Sequence, residues 1–129
     1  MRPSRALDVA VLTAIGWTVR PVATVAEGWD GRTYEVLDAR GQRRGYQWDS
    51  LTLYQSNLVP FVSTLWPAAG ELLEWLAGQE RWAEVGYNPS LGQWQAIVTN
   101  EADAEYHGSG ESGPLALAKA VFAAFGGGA

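Results

Sequence analysis

Residues 63–78, Ser-Thr-Leu-Trp-Pro-Ala-Ala-Gly-Glu-Leu-Leu-Glu-Trp-Leu-Ala-Gly, place the strongest constraint on the fold. Leu65, Ala69, Leu72, Leu73 and Leu76 recur at helical spacing and form one apolar face. Ser63 or Thr64 can cap the start through a side-chain oxygen. Pro67 falls in the first turn, where an amide has no intrahelical partner to lose. Gly78 can end the helix in a left-handed conformation. Glu71 and Glu74 fall off the apolar stripe. A helix with one apolar face needs other elements to cover it, and the flanking sequence supplies them.

Ser4 to Gly16 predicts a first helix, capped by Ser4 and ended by Gly16, with Leu7, Ala10, Val11, Ala14 and Ile15 inward. Asp8 lies near the positive end of its dipole. In residues 18–50, Val19 to Ala26 has strand character interrupted by Pro21. Gly28-Trp29-Asp30-Gly31 is a turn by composition. Thr33 to Leu37 and Gly45 to Trp48 then predict a hairpin. Asp49 to Pro60 is a connector too apolar to be a free linker. Trp82 to Tyr87 and Gln93 to Thr99 predict an antiparallel pair around Asn88-Pro89-Ser90-Leu91-Gly92. Ala104 to His107 predicts a short third strand. Gly108-Ser109-Gly110 reads as a capping loop before a last, alanine-rich helix, capped by Ser112 and carrying Leu117, Ala120, Val121, Ala124 and Phe125 inward. The order is helix, strands, helix, three-strand meander, helix. That is an α+β fold in which an antiparallel sheet packs with helices, expected as one domain over 1–129 with 126–129 as a flexible tail.

Charge and cysteine content narrow the functional classes. The 129 residues carry a formal charge of −5 and no cysteine, so disulfides, thiol catalysis and zinc–thiolate sites are excluded. Seven arginines face six acids in residues 1–50, whereas Arg81 and Lys119 face eight acids in 51–129. General nucleic-acid binding needs a basic surface and is disfavoured. No run reaches transmembrane length and no signal peptide is recognisable, so a cytoplasmic protein with no membrane association is expected.

Two regions carry candidate chemistry. Arg40, Arg43 and Arg44 sit together in the expected hairpin loop, with Tyr46, Trp48 and Tyr54 close in sequence. Guanidinium groups hold phosphate or carboxylate and aromatic faces stack a base, so the six residues form a candidate site for a nucleotide-type ligand or a partner. A solvated loop tip beside a small aromatic core accounts for the same residues. The second region surrounds His107, the lone histidine. Glu101, Asp103 and Glu105 alternate before it, and an extended segment would present them together to a hard cation. A charged edge strand explains that pattern equally well. Ser109 and Ser112 lack a nucleophile-elbow frame, and Gly108-Ser109-Gly110 lacks the lysine of a phosphate-binding loop. No catalytic residues, metal ligands or cofactor are assigned, and a non-enzymatic protein is expected.

Gly16-Trp17, Pro60-Phe61-Val62-Ser63-Thr64, and Gly110-Glu111-Ser112 followed by Leu115-Ala116-Leu117-Ala118-Lys119-Ala120 resemble the motifs of the phage ABA sandwich domain family. Leu65 departs from the pattern, where an Asp usually follows Ser-Thr. The resemblance implies an α/β/α sandwich-like arrangement and a bacteriophage or prophage accessory protein of the host cytoplasm. Within that class the chain would act in counter-defence, sequestering a nucleotide-type signal or blocking a host protein. The alternatives are a structural or assembly accessory acting through protein contacts, a homo-oligomer included, and a metal-dependent enzyme using His107. The acidic residues Glu71, Glu74, Glu80 and Glu84 also suit mimicry of nucleic-acid charge against a DNA-binding host protein.

Overall fold

The computed structural model describes residues 4–22, 33–47 and 60–126. The expected turn at 28–31, the connector 49–59 and the tail 127–129 lie outside the described residues. Along the chain run α1 (Arg5–Ala14), β1 (Thr18–Val22), β2 (Thr33–Leu37), β3 (Arg43–Gln47), α2 (Trp66–Gly78), β4 (Ala83–Asn88), β5 (Gln93–Thr99), β6 (Glu105–Gly110) and α3 (Gly113–Phe125). β1-β2-β3 and β4-β5-β6 form two antiparallel three-stranded sheets. Helices pack on the sheet, and the fold is α+β.

The last helix is the centre of the core. Ser112 Oγ accepts from the Leu115 N–H (3.2 Å) and Pro114 lies in the first turn, as their positions predict. Every residue from Gly113 to Ala118 is buried, as are Ala120 and Val121. α3 packs across β6 and β5, and α1 and α2 contact it in turn. Leu7, Val11, Leu12, Val36, Val62, Leu72, Leu76, Ala96 and Val98 complete this core. On β5 the alternation resolves as expected, with Ala96 and Val98 buried and Gln93 and Gln95 in solvent.

The third strand of the meander is longer than its sequence suggests. β6 runs on through Gly108-Ser109-Gly110, which are strand residues and not a capping loop. The cause is the closeness of α3. A Cβ on Gly108 would collide with the Ala116 carbonyl oxygen and stand 2.6 Å from the Ala120 amide nitrogen. Glycine in a strand weakens the strand but admits another backbone.

Caps decide where the other helices end. Ser4 Oγ accepts from the Leu7 N–H (3.0 Å). At the far end of α1, Trp17 N–H donates to the Leu12 carbonyl (2.9 Å) and Gly16 N–H to the Thr13 carbonyl (3.1 Å). This is a Schellman closure around a glycine at φ +106°. α2 has the same closure two residues later than expected. Arg81 N–H reaches the Leu76 carbonyl (2.9 Å), and the left-handed residue is Glu80 (φ 57°) and not Gly78, which remains helical. The start of α2 also differs. Its N-cap is Leu65, which offers no side-chain hydrogen bond and is 48% exposed, so Leu65 is not part of the buried stripe. Ser63 does not cap α2 because its polar groups are engaged by α1.

That engagement is a buried polar node. Asp8 is fully buried, where charge requires compensation. Its Oδ1 accepts from the Ser63 backbone N–H at 2.8 Å, and its Oδ2 accepts from Arg5 Nη1 at 2.6 Å. The guanidinium lies 3.6 Å over the Phe61 ring and donates to the Pro60 carbonyl (3.3 Å). Ser4 N–H donates to Ser63 Oγ (3.3 Å). The first turn of α1 is thereby fixed to segment 60–63.

Pro21 does not break β1. It pairs with Tyr34, and among the described residues β1 is an edge strand with β2 on one side only, where a missing N–H is tolerated.

Two stability measurements check these assignments. Asp8→Ala leaves the Arg5 guanidinium and the Ser63 amide without their shared acceptor, and urea denaturation should show a loss of about 3 kcal/mol; a loss below about 1 kcal/mol would show that water replaces the carboxylate. Leu65→Asp supplies the missing N-cap and should stabilise the chain by about 1 kcal/mol. An unchanged or lowered thermal midpoint would refute that account of the helix start.

Candidate binding cleft

A cleft of about 560 Å³ opens where the end of α1, the β2–β3 turn and the outer face of α2 meet. Its apolar residues Leu12, Ile15 and Leu72 belong to the core. Trp17 and Trp75 contribute two half-buried indoles. Four ionisable side chains complete the lining: Asp38, Glu71, Glu74 and Arg40. Three carboxylates against one guanidinium make the cleft acidic.

Each wall follows from local sequence. Glu71, Glu74, Trp75 and Gly78 are spaced i, i+3, i+4 and i+7, so one face of α2 presents them together. Trp75 is held edge-on to Phe125, with centroids 5.3 Å apart and ring planes at 85°. Trp17 is placed by the Schellman closure that ends α1. The facing wall is the turn Asp38–Gln42. Asp38 Oδ1 accepts from the Arg40 N–H (2.9 Å) and the Gln42 N–H (3.0 Å). The Asp38 N–H donates to the Gln42 carbonyl (2.8 Å), and Gly41 takes φ +81°. This Asx geometry closes the hairpin tightly. The turn packs on the α1 terminus, where Ala39 stands 3.8 Å from the position a Cβ on Gly16 would take.

The closed turn changes the reading of the arginines. Arg40 is in the turn and lines the cleft. Arg43 and Arg44 are on β3, because the strand begins at Arg43 and not at Gly45. The register moves from Leu37↔Arg43 to Val36↔Gly45, which leaves Arg44 without an opposite number. The three arginines therefore do not share one loop. Tyr46 is on β3, paired with Glu35. Trp48 and Tyr54 lie outside the described residues.

The region of His107 is also rearranged. Glu101 and Asp103 are in a turn, because the Asn100 carboxamide accepts from the Ala102 (2.9 Å) and Ala104 (3.1 Å) amides and Asp103 takes φ 60°. Glu101, Asp103 and Glu105 consequently do not share one strand face. Asp103 faces Arg81 at 3.4 Å, and Glu105 faces His107 at 3.5 Å in solvent. Among the described residues no group of three carboxylate or imidazole side chains converges on a metal-sized point. Ser112 Oγ is occupied as a helix cap, and no hydrogen bond joins His107 to Ser109 or Ser112 among the described residues. His107 and Ser109 instead line a second hollow of about 700 Å³ on the face of the β4–β6 sheet, with Glu84, Asn88 and Gln95. No helix of the described residues is long and apolar enough to cross a membrane.

Trp17 and Trp75 were not among the site residues expected from sequence, and Glu71 and Glu74 were expected only as part of an acidic face with Glu80 and Glu84. The signal was available in the acids left off the α2 stripe, one turn from a tryptophan. What sequence could not supply was the β2–β3 turn facing them.

The turn itself can be tested. Asp38→Ala removes the acceptor for two backbone amides, and denaturation should show a loss of about 1–2 kcal/mol. Amide exchange of Arg40 and Gln42 should accelerate while exchange in α3 is unchanged. Unaltered protection at both amides would refute the role given to Asp38.

No protein-family model matches the chain and no curated protein matches it.

Proposed function

We propose that the chain is a non-catalytic binding protein that takes a basic segment of a partner protein into the cleft between Trp17 and Trp75. The lining carries this reading: three carboxylates and one guanidinium around two indoles. An arginine or lysine side chain entering such a cleft gains the face of an indole and a charge-assisted hydrogen bond to a carboxylate. The excess of acids in residues 51–129 adds attraction at longer range. The motif resemblance to phage ABA sandwich domains supports a phage or prophage accessory role, in which occupying a basic surface of a host protein blocks that surface. A nucleotide-type ligand fits less well. Its phosphate would meet Arg40 but stand among Asp38, Glu71 and Glu74, whose charge repels it.

Calorimetry with an arginine-rich peptide and, separately, with a nucleotide distinguishes the two ligands. The peptide should bind, more weakly at higher salt, and the double variant Glu71→Gln, Glu74→Gln should lose at least about tenfold in affinity, or about 1.4 kcal/mol. The control pair Glu101→Gln, Glu105→Gln removes the same charge from exposed positions outside the cleft lining and should leave affinity within about twofold. Equal losses in the two pairs, or binding of the nucleotide alone, would overturn the assignment.

A further inference from the structure

β4 is an edge strand with little protection: Glu84 is its one charged residue, and Pro89 follows its end. Among the described residues it pairs with β5 on one side only. Ala83–Asn88 contains no proline, lysine or arginine, and its register with β5 is continuous without a bulge. Edges of this kind recruit another strand unless they are blocked. The phase of the ladder says which groups are free. Thr99 N–H donates to the Trp82 carbonyl at 3.0 Å. By alternation Glu84, Gly86 and Asn88 turn their backbone groups to β5, and Ala83, Val85 and Tyr87 turn theirs outward.

Large apolar side chains mark the same strand at both ends. Trp82 is 65% exposed just before β4, and Tyr87 (53%) and Leu91 (60%) are exposed at its far end. Nothing in the cleft described above uses them.

We infer that β4 is a homodimer interface, in which two copies pair their β4 strands antiparallel about a two-fold axis through Gly86. This register brings Val85 opposite Tyr87 of the second copy, so outward amides meet outward carbonyls. Glu84 falls opposite Asn88 of the second copy and not opposite another acid. The two Glu84 carboxylates stand roughly 14 Å apart along the strands, beyond the screening length at physiological salt. Trp82 meets the Ser90–Leu91 turn of the second copy, and Tyr87, on the other face of the sheet, falls opposite Val85 of the second copy. A second copy satisfies Val85 and Tyr87 on both strands because the register is its own complement, and the ladder ends where Ala83 falls opposite Pro89, which has no N–H to donate.

The absence of native cysteine allows a direct test. In the proposed register Gly86 faces Gly86 as a non-hydrogen-bonded pair, with Cα atoms about 4.5 Å apart, within disulfide range. A Cβ on Gly86 meets no atom within 4 Å in the monomer, so substitution there leaves the fold intact. Wild-type protein should sediment at micromolar concentration with about twice its 14.0 kDa chain mass. Gly86→Cys should oxidise almost completely to a disulfide-linked dimer. Thr13→Cys, exposed on α1, should remain largely monomeric on a non-reducing gel. Gly86→Lys places two ammonium groups across the axis and should sediment as a monomer with an unchanged circular dichroism spectrum. A wild-type monomer, or cross-linking of Gly86→Cys no faster than that of Thr13→Cys, would overturn the proposal.

Discussion

The Asp8 carboxylate is the constraint on which the arrangement of the helices depends. A buried anion is unfavourable unless its oxygens are satisfied, and here the Arg5 guanidinium and the Ser63 amide supply the donors. The two donors come from opposite ends of the first half of the chain. Satisfying Asp8 therefore fixes where segment 60–63 crosses α1, and with it where α2 begins. The Phe61 ring under the guanidinium excludes water from one side of the pair. An apolar contact alone would permit the segment to slide, whereas two hydrogen bonds of fixed direction do not. The cleft lies between α1 and α2, so its width depends on this node although none of its members lines it.

The fold was legible where one local rule acted alone. Ser4, Gly16 and Ser112 behave as caps, and Gln93–Thr99 alternates as a half-buried strand, because each depends on neighbours within a few residues. The reading failed where a residue had a distant claimant. Ser63 has the chemistry of an N-cap, but its amide and hydroxyl go to Asp8 and Ser4. Gly108 and Gly110 have the composition of a loop, yet they continue a strand because α3 lies too close for a side chain. Residues 63–78 carry the clearest helical pattern but form only one covering of the core. The helix at the centre is α3, whose alanines are buried nearly all round, and burial on every side erases the stripe that identifies a helix in sequence.

The candidate site was legible in part, for a related reason. The arginines at 40, 43 and 44 look like one cluster only if the hairpin loop is long. The Asp38 side chain shortens it, so that Arg40 stays in the turn and Arg43 begins a strand. An Asx turn is visible in sequence only as an Asp two residues before its partner, and such pairs are common. The residues that face Arg40 across the cleft belong to α1 and α2, and no pattern within either helix reports that the two come together.

The residues that carry the family resemblance have structural work throughout. Gly16 and Trp17 close α1, Phe61 and Ser63 hold Arg5 and Asp8, and Ser112 caps α3. Leu65, the departure from the motif, affects only the cap of α2. A likeness built from caps and core contacts speaks to the fold and leaves the ligand open. Glu71 and Glu74, which would choose a ligand by charge, are exposed on the outer side of α2, where substitution leaves Ala69, Leu72 and Leu76 untouched in the core. The same scaffold can thus present an acidic, basic or apolar cleft without altering the Asp8 node. For this chain the acidic lining, and not the fold, is the feature that points to a basic partner.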